Sequence, residues 1–157
     1  MYVDKNLELS DSQPVTSTAI STNVIDLMTV DSAGGTAAAN VIQDIGQGED
    51  LYLVVQTAVA CADVSSDATL TITLESDTAV GLGTSTVHFS TGALAFAAYA
   101  TAGTQVLLLK LPPAEYKRYL GIRYTVASGP LTAGQFDAFI TKDIQKNKIY
   151  KSAFTVQ

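Results

Sequence analysis

The sequence predicts an all-β fold, a jelly-roll-like antiparallel β-sandwich followed by a C-terminal extension. Three observations predict it. Charged residues make up only 15% of the chain and hydrophobic ones 47%, and Thr, Ser, Ala, Val and Gly are abundant, a mix that suits half-buried pleated surfaces. Apolar residues recur with period two rather than 3.6 in several runs. Turn signals such as Gly34-Gly35, Gly81–Gly83, Pro112-Pro113 and Gly129-Pro130 punctuate those runs, as expected for about seven to nine short strands.

Taken in order, the first candidates are weak strands at 15–20 and 22–27. The Gly/Ala/Ser-rich "TVDSAGGTAAAN" (29–40) reads as a long loop. "LYLVVQTAV" (51–59) is apolar almost throughout, as in a central strand covered on both faces. "ATLTITLE" (68–75) is the most regular segment, with Leu70, Ile72 and Leu74 alternating with threonines. Weaker strands are expected at 86–90 and 94–99. "QVLLLKL" (105–111) reads as a second central strand, and "PPAEYK" (112–117) as a short helical turn opened by proline. "RYLGIRYTV" (118–126) places Leu120, Ile122, Tyr124 and Val126 on one face, and "QFDAFIT" (135–141) does the same with Phe136, Ala138 and Ile140. Between them, "ASGPLTAG" (127–134) is a bend, with Tyr124 and Phe136 facing the core and Leu131 at its tip.

At 157 residues the chain suits one domain, 1–145, and a basic C-terminal arm, 146–157. Cys61 is the single cysteine, so no intrachain disulfide forms. The start has no apolar h-region and no run approaches membrane-span length, so a soluble protein made in a reducing cytoplasm, without membrane contact, is expected. Net charge is −6 and unevenly spread. Residues 142–157 hold four lysines against one acid, or +3, which leaves −9 for residues 1–141. An acidic body argues against nucleic-acid binding, which needs clustered Lys and Arg.

The candidates for chemistry are few. A hydrolase would use His88, with Ser85 or Ser90 as nucleophile, or Cys61 paired with His88, but no nucleophile elbow is present. Oxygen-rich loops at Asp44, Glu49 and Asp50, and at Asp63, Ser65 and Asp67, match no EF-hand. Asp and Ser at such places serve the local backbone. "GPLTAG" lacks the Lys-Ser/Thr of a phosphate loop. A glycan platform would fall to Tyr116, Tyr119 and Tyr150, since there is no tryptophan. The residues therefore suggest a binding or structural protein, not an enzyme, with no cofactor and no metal.

Three segments carry a resemblance: "LELSDSQPVTSTAISTNVIDL" (7–27), "GEDLYLVVQT" (48–57) and "RYLGIRYTVASGPLTAGQFDAFITKDIQ" (118–145). In this order and spacing the chain resembles the capsid cement, or decoration, proteins of short-tailed bacteriophages of the Bordetella-phage type. "ATLTITLESDT" (68–78) fits the middle of that pattern. The resemblance implies a jelly roll, usually a homodimer, on the outer surface of an icosahedral head. It implies a partner too, the major capsid protein of HK97-like fold, whose neighbouring copies it would clamp. The pattern ends near Gln145. The expected contacts are Leu131 at its loop tip, Lys146, Lys148 and Lys151 against acidic surface, and Ile149, Tyr150 and Phe154 as anchors. The other reading of these residues is a β-sandwich module for glycan or host-surface attachment, displayed on a virion.

Overall fold

The computed structural model describes residues 3–29, 41–42, 45–46, 48, 50–142 and 144. Its strands, in chain order, are β1 (Glu8–Pro14), β2 (Ala19–Ile20), β3 (Ile25–Asp26), β4 (Met28–Thr29), β5 (Val41–Ile42), β6 (Tyr52–Ala62), β7 (Thr69–Asp77), β8 (Thr86–Ser90), β9 (Gln105–Lys110), β10 (Tyr119–Ala127) and β11 (Ala133–Thr141). One sheet runs β1-β11-β6-β9. The other runs β2-β10-β7-β8, with β3 beside β2 on β10, and β4 and β5 form a separate pair. All pairings are antiparallel. Counting β2 and β3 as one interrupted strand, this is the two-sheet, four-plus-four order of a jelly roll, so the expected fold class is correct.

The core follows from alternation. β7 and β10 pair residue for residue from Thr69↔Ala127 to Asp77↔Tyr119, and Leu70, Ile72, Leu74, Leu120, Ile122 and Tyr124 are fully buried. From the facing sheet come Leu53, Val55, Phe136, Ala138 and Ile140. The Tyr124 and Phe136 rings stack across the sandwich at 5.5 Å, and Tyr99 packs on Phe136 at 6.3 Å. Burying each large side chain contributes about 1.5–3 kcal/mol.

Several expectations need correcting. The run at 105–111 is not central: β9 is an edge strand, and Leu108 is 39% exposed. Residues 94–99 hold one bridge, Leu94 to Leu70, and a 3-10 turn at Phe96–Ala98. The helical turn expected at 113–117 is absent, those residues having no regular secondary structure, and a second 3-10 turn lies at Lys5–Leu7, where the Asp4 side chain accepts from the Asn6 N–H. β1, whose polar "ELSDSQP" gives no strand signal, pairs with β11.

The polar residues of β1 build a relay between the sheets. Tyr124 Oη donates to Ser10 Oγ at 3.1 Å, and Ser10 Oγ donates to Gln13 Oε1 at 2.7 Å. Gln13 Oε1 also accepts from the Thr22 N–H, while its Nε2 donates to the Ile20 carbonyl. Burial pushes the Tyr124 hydroxyl pKa up, so it stays a donor. Tyr124→Phe is expected to lower unfolding free energy by about 1 kcal/mol, read from urea melts at pH 7, because Ser10 loses a buried partner.

The edges are irregular, whereas the central β7–β10 pairing is continuous; the other inner pair, β6 with β11, slips around Gln135. β1 slips in register twice against β11, between Glu8 and Ser10 and again before Gln13. β9 slips against β6 near Gln56, and β8 slips against β7 between Leu74 and Glu75. β2 and β3 are two residues each. Such bulges and short segments blunt an edge against further pairing.

Candidate functional site

His88 sits at the slip in β8. Phe89 pairs with Leu74 and Val87 with Glu75, so His88 is the extra residue. Its Nε2 lies 2.7 Å from Ser76 Oγ, which also accepts from the Lys117 N–H at 2.9 Å. The ring meets Tyr116 edge-on at 4.6 Å. Burial, then the Lys117 charge, holds its pKa below the usual histidine value and favours the neutral ring, whose tautomer decides which of Nε2 and Ser76 Oγ donates. Ser76 is fully buried, and the pair ties β7 and β8 to the chain entering β10. The serines suggested by sequence are engaged elsewhere. Ser85 Oγ donates to Glu75 at 2.6 Å, and Ser90 Oγ accepts from the Gly92 N–H.

Cys61 is buried at the far end of β6, and burial pushes its thiol up to about 11. A Cβ built on Gly134 would sit 2.6 Å from its Sγ. Among the described residues no group of three or more His, Cys, Asp or Glu is placed to hold a metal. Asp63, from one of the two oxygen-rich loops, uses Oδ2 to accept from the N–H groups of Asp67 and Ala68. These bonds hold its carboxyl below the usual range. Of the other loop, Asp50 pairs with Lys110 at 2.6 Å, and Asp44 and Glu49 lie outside the described residues.

The contact residues are placed as follows. Leu131 is not an exposed tip: it is 2% exposed, within the core, and its N–H donates to the Thr16 carbonyl. The bend is held inward by Leu131 N–H on the Thr16 carbonyl, Thr132 N–H on the Ala62 carbonyl and Val15 N–H on the Gly134 carbonyl. Lys146, Lys148, Ile149, Tyr150, Lys151 and Phe154 lie outside the described residues. Of the tyrosines considered for a platform, Tyr116 is buried with its hydroxyl on the Pro112 carbonyl. Tyr119 carries the Arg118 guanidinium 4.7 Å above its ring.

What the fold does organise is charge. Strand register places 15–18, 57–68, 91–104 and 127–135 at one end of the sandwich. Their charged residues are Asp63 and Asp67 alone. The opposite end carries Asp4, Lys5, Glu8, Asp26, Asp50, Asp77, Lys110, Glu115, Lys117, Arg118 and Lys142, with pairs such as Arg118–Asp26 at 2.8 Å. Sequence reasoning missed this split, although the lack of any Asp, Glu, Lys or Arg from Thr78 to Leu109 signals it. The charge-poor end exposes Val64 at 89% and Val59 at 47%. Its loops are nonetheless tied, by Cys61 N–H to the Ala100 carbonyl, Gly103 N–H to Thr57 and Thr132 N–H to Ala62, each within 2.8 Å. Apolar groups held on rigid backbone lose little entropy when they dock. No described helix is long and apolar enough to cross a membrane.

A protein-family model described as Bbp16 matches residues 9–140. No curated protein matches the chain.

Proposed function

Since the chain belongs to the Bbp16 family, a family of bacteriophage proteins, we propose that it is a capsid cement protein. In this reading it is a structural virion protein that binds the outer surface of the icosahedral head as a homodimer. It clamps neighbouring major capsid proteins of HK97-like fold and stabilises the expanded, DNA-filled shell. The observation that supports this most is the rigid, charge-poor end with Val64 and Val59 exposed. Cementing needs area and repetition instead of acid-base groups, and many copies add modest binding energies once the shell exists.

The test is to mix purified protein with empty expanded and unexpanded shells and to weigh what co-sediments. Saturable binding to expanded shells is the expected outcome; equal binding to neither form would overturn the reading. The basic arm, 146–157, lies on a neighbouring subunit in this proposal, with Lys146, Lys148 and Lys151 on acidic surface and Ile149, Tyr150 and Phe154 as anchors. Deleting it is expected to lower occupancy on expanded shells about tenfold, as one released contact in a multivalent set, with the melting temperature unchanged. Full occupancy would remove the arm from the account.

A further inference from the structure

At the charge-rich end a groove of about 580 Å³ opens between the start of β1 in one sheet and β3 in the other, both of them edge strands. Leu7, Val24, Ile25, Leu27 and Ile45 give it an apolar lining. Leu27 is buried and the other four are half-buried, open on the groove side. Lys5, Glu8 and Asp26 stand among them. Glu8 pairs with Lys5, Asp11 lies 3.9 Å from the same ammonium, and Asp26 pairs with Arg118. With Asp4 beside Lys5, four carboxylates face two cations, so the mouth carries −2. The volume falls within the range of about 300–1,000 Å³ that encloses a drug-sized group. It takes side chains, not a folded domain.

The chain leaves the sheet beside this groove. Phe139 of β11 pairs with Glu8, and β11 ends two residues later at Thr141. The arm that follows, 146–157, has the complementary chemistry: three lysines and no acid, or +3, together with Ile149, Tyr150 and Phe154. Twelve extended residues reach about 40 Å, far enough to leave one molecule and cross onto another. Exit and groove lie side by side on one end. Two copies related by a two-fold axis at that end therefore present each exit to the other's groove, and one self-complementary surface supplies both contacts.

We propose that the groove receives the basic arm of a second copy, and that the exchange is reciprocal. Ile149, Tyr150 and Phe154 bury apolar surface in it, while Lys146, Lys148 and Lys151 meet the carboxylates of its mouth. This rests on the arm's role in the cement reading and makes the neighbouring subunit another copy of this chain instead of capsid protein. The charge-poor end, at the other pole of the sandwich, stays free for the shell. Because the charged half of the contact is at the surface, raising salt weakens it.

The experiment is sedimentation velocity of the full chain over a concentration series, beside four variants. Two alter the arm: removal of 146–157, and Ile149→Ser with Tyr150→Ser and Phe154→Ser. Two alter the groove: Val24→Lys, and Asn6→Lys with Asn23→Lys at its exposed rim. Melting temperatures are the folding control, and the rim variant replaces Val24→Lys if that one fails to fold. Each variant dimer is expected to dissociate at about hundredfold higher concentration, from two contacts of about tenfold each. Mixing a groove variant with the chain lacking 146–157 is expected to give a heterodimer about tenfold tighter than either variant alone, since one intact arm meets one intact groove. Weakened variants that form no heterodimer would put each arm on its own chain and overturn the exchange. Variants that dimerise fully would move the dimer to another surface and overturn it too, as would unaltered protein that stays monomeric. Shell co-sedimentation of unaltered protein reads the cement role separately: exchange without shell binding overturns that role alone, and shell binding without exchange overturns the exchange alone.

Discussion

Gly134→Ala is expected to lower unfolding free energy by about 3 kcal/mol, and the melting temperature by about 6 to 12 °C for a chain of this size. Two causes act together. The backbone at Gly134 has φ 146°, which an L side chain rarely adopts. The added Cβ would meet Cys61 at 2.6 Å from Sγ, 3.2 Å from Cβ and 3.3 Å from Cα. The last contact is to main chain and cannot be relieved by a rotamer change. A double-mutant cycle separates the causes. In a Cys61→Ala background the sulfur contact is gone, so Gly134→Ala should cost at least about 1 kcal/mol less there. A loss unaffected by Cys61→Ala would place the whole cost in the backbone.

Arg123→Met is expected to cost about 3 kcal/mol at pH 7, since it leaves a buried carboxylate without its cation. Glu75 is 3% exposed. It accepts from Arg123 Nε at 3.1 Å on both oxygens, and from the hydroxyls of Ser85 and Thr73 at 2.6 Å. Burial pushes its pKa up, but the bonds from Arg123, Ser85 and Thr73 outweigh burial, and the net shift is below 4.5. A carboxyl with a depressed folded pKa stabilises fully above its unfolded pKa, and that contribution is lost as pH falls through the folded value. In the variant, burial acts without the guanidinium, so the carboxyl takes up a proton on folding. The penalty should therefore shrink as pH is lowered from 7 towards about 4. Urea melts at both pH values read this, and a penalty independent of pH would mean that lost packing of the Arg123 stem, not charge, carries the cost.

The regular strands were legible because their period is intact. β7 and β10 alternate cleanly, their register is continuous over nine pairs, and their inward residues are those expected. Where a strand is interrupted, the period fails and so does the reading. β1 slips twice and buries Ser10 and Gln13, polar residues that suggest a loop until their relay with Tyr124 is known. β9 is apolar enough to look central, yet hydropathy does not distinguish a strand with two neighbours from one with a single neighbour. The Ser76–His88 contact was invisible because nothing along the chain sets the register of β8 against β7, which is what brings the two residues together. Leu131 follows a Gly-Pro pair, which marks a turn but not whether the turn folds outward or into the core. The charge split is a property of the folded ends, assembled from four separate stretches, three of them uncharged and the fourth carrying only Asp63 and Asp67.

The irregular sheet margins bear on life in a crowd. In the cement reading, a protein placed in many copies on one lattice meets its own kind at very high local concentration, before attachment and after it. Sheets with clean margins would then grow into ribbons by borrowing backbone from one copy to the next. Slips in β1, β8 and β9 and the brevity of β2 and β3 deny that growth a template. In that reading each homodimer stays a discrete particle until a matching surface captures it, and the lattice beneath, rather than the protein's appetite for itself, dictates where the copies go.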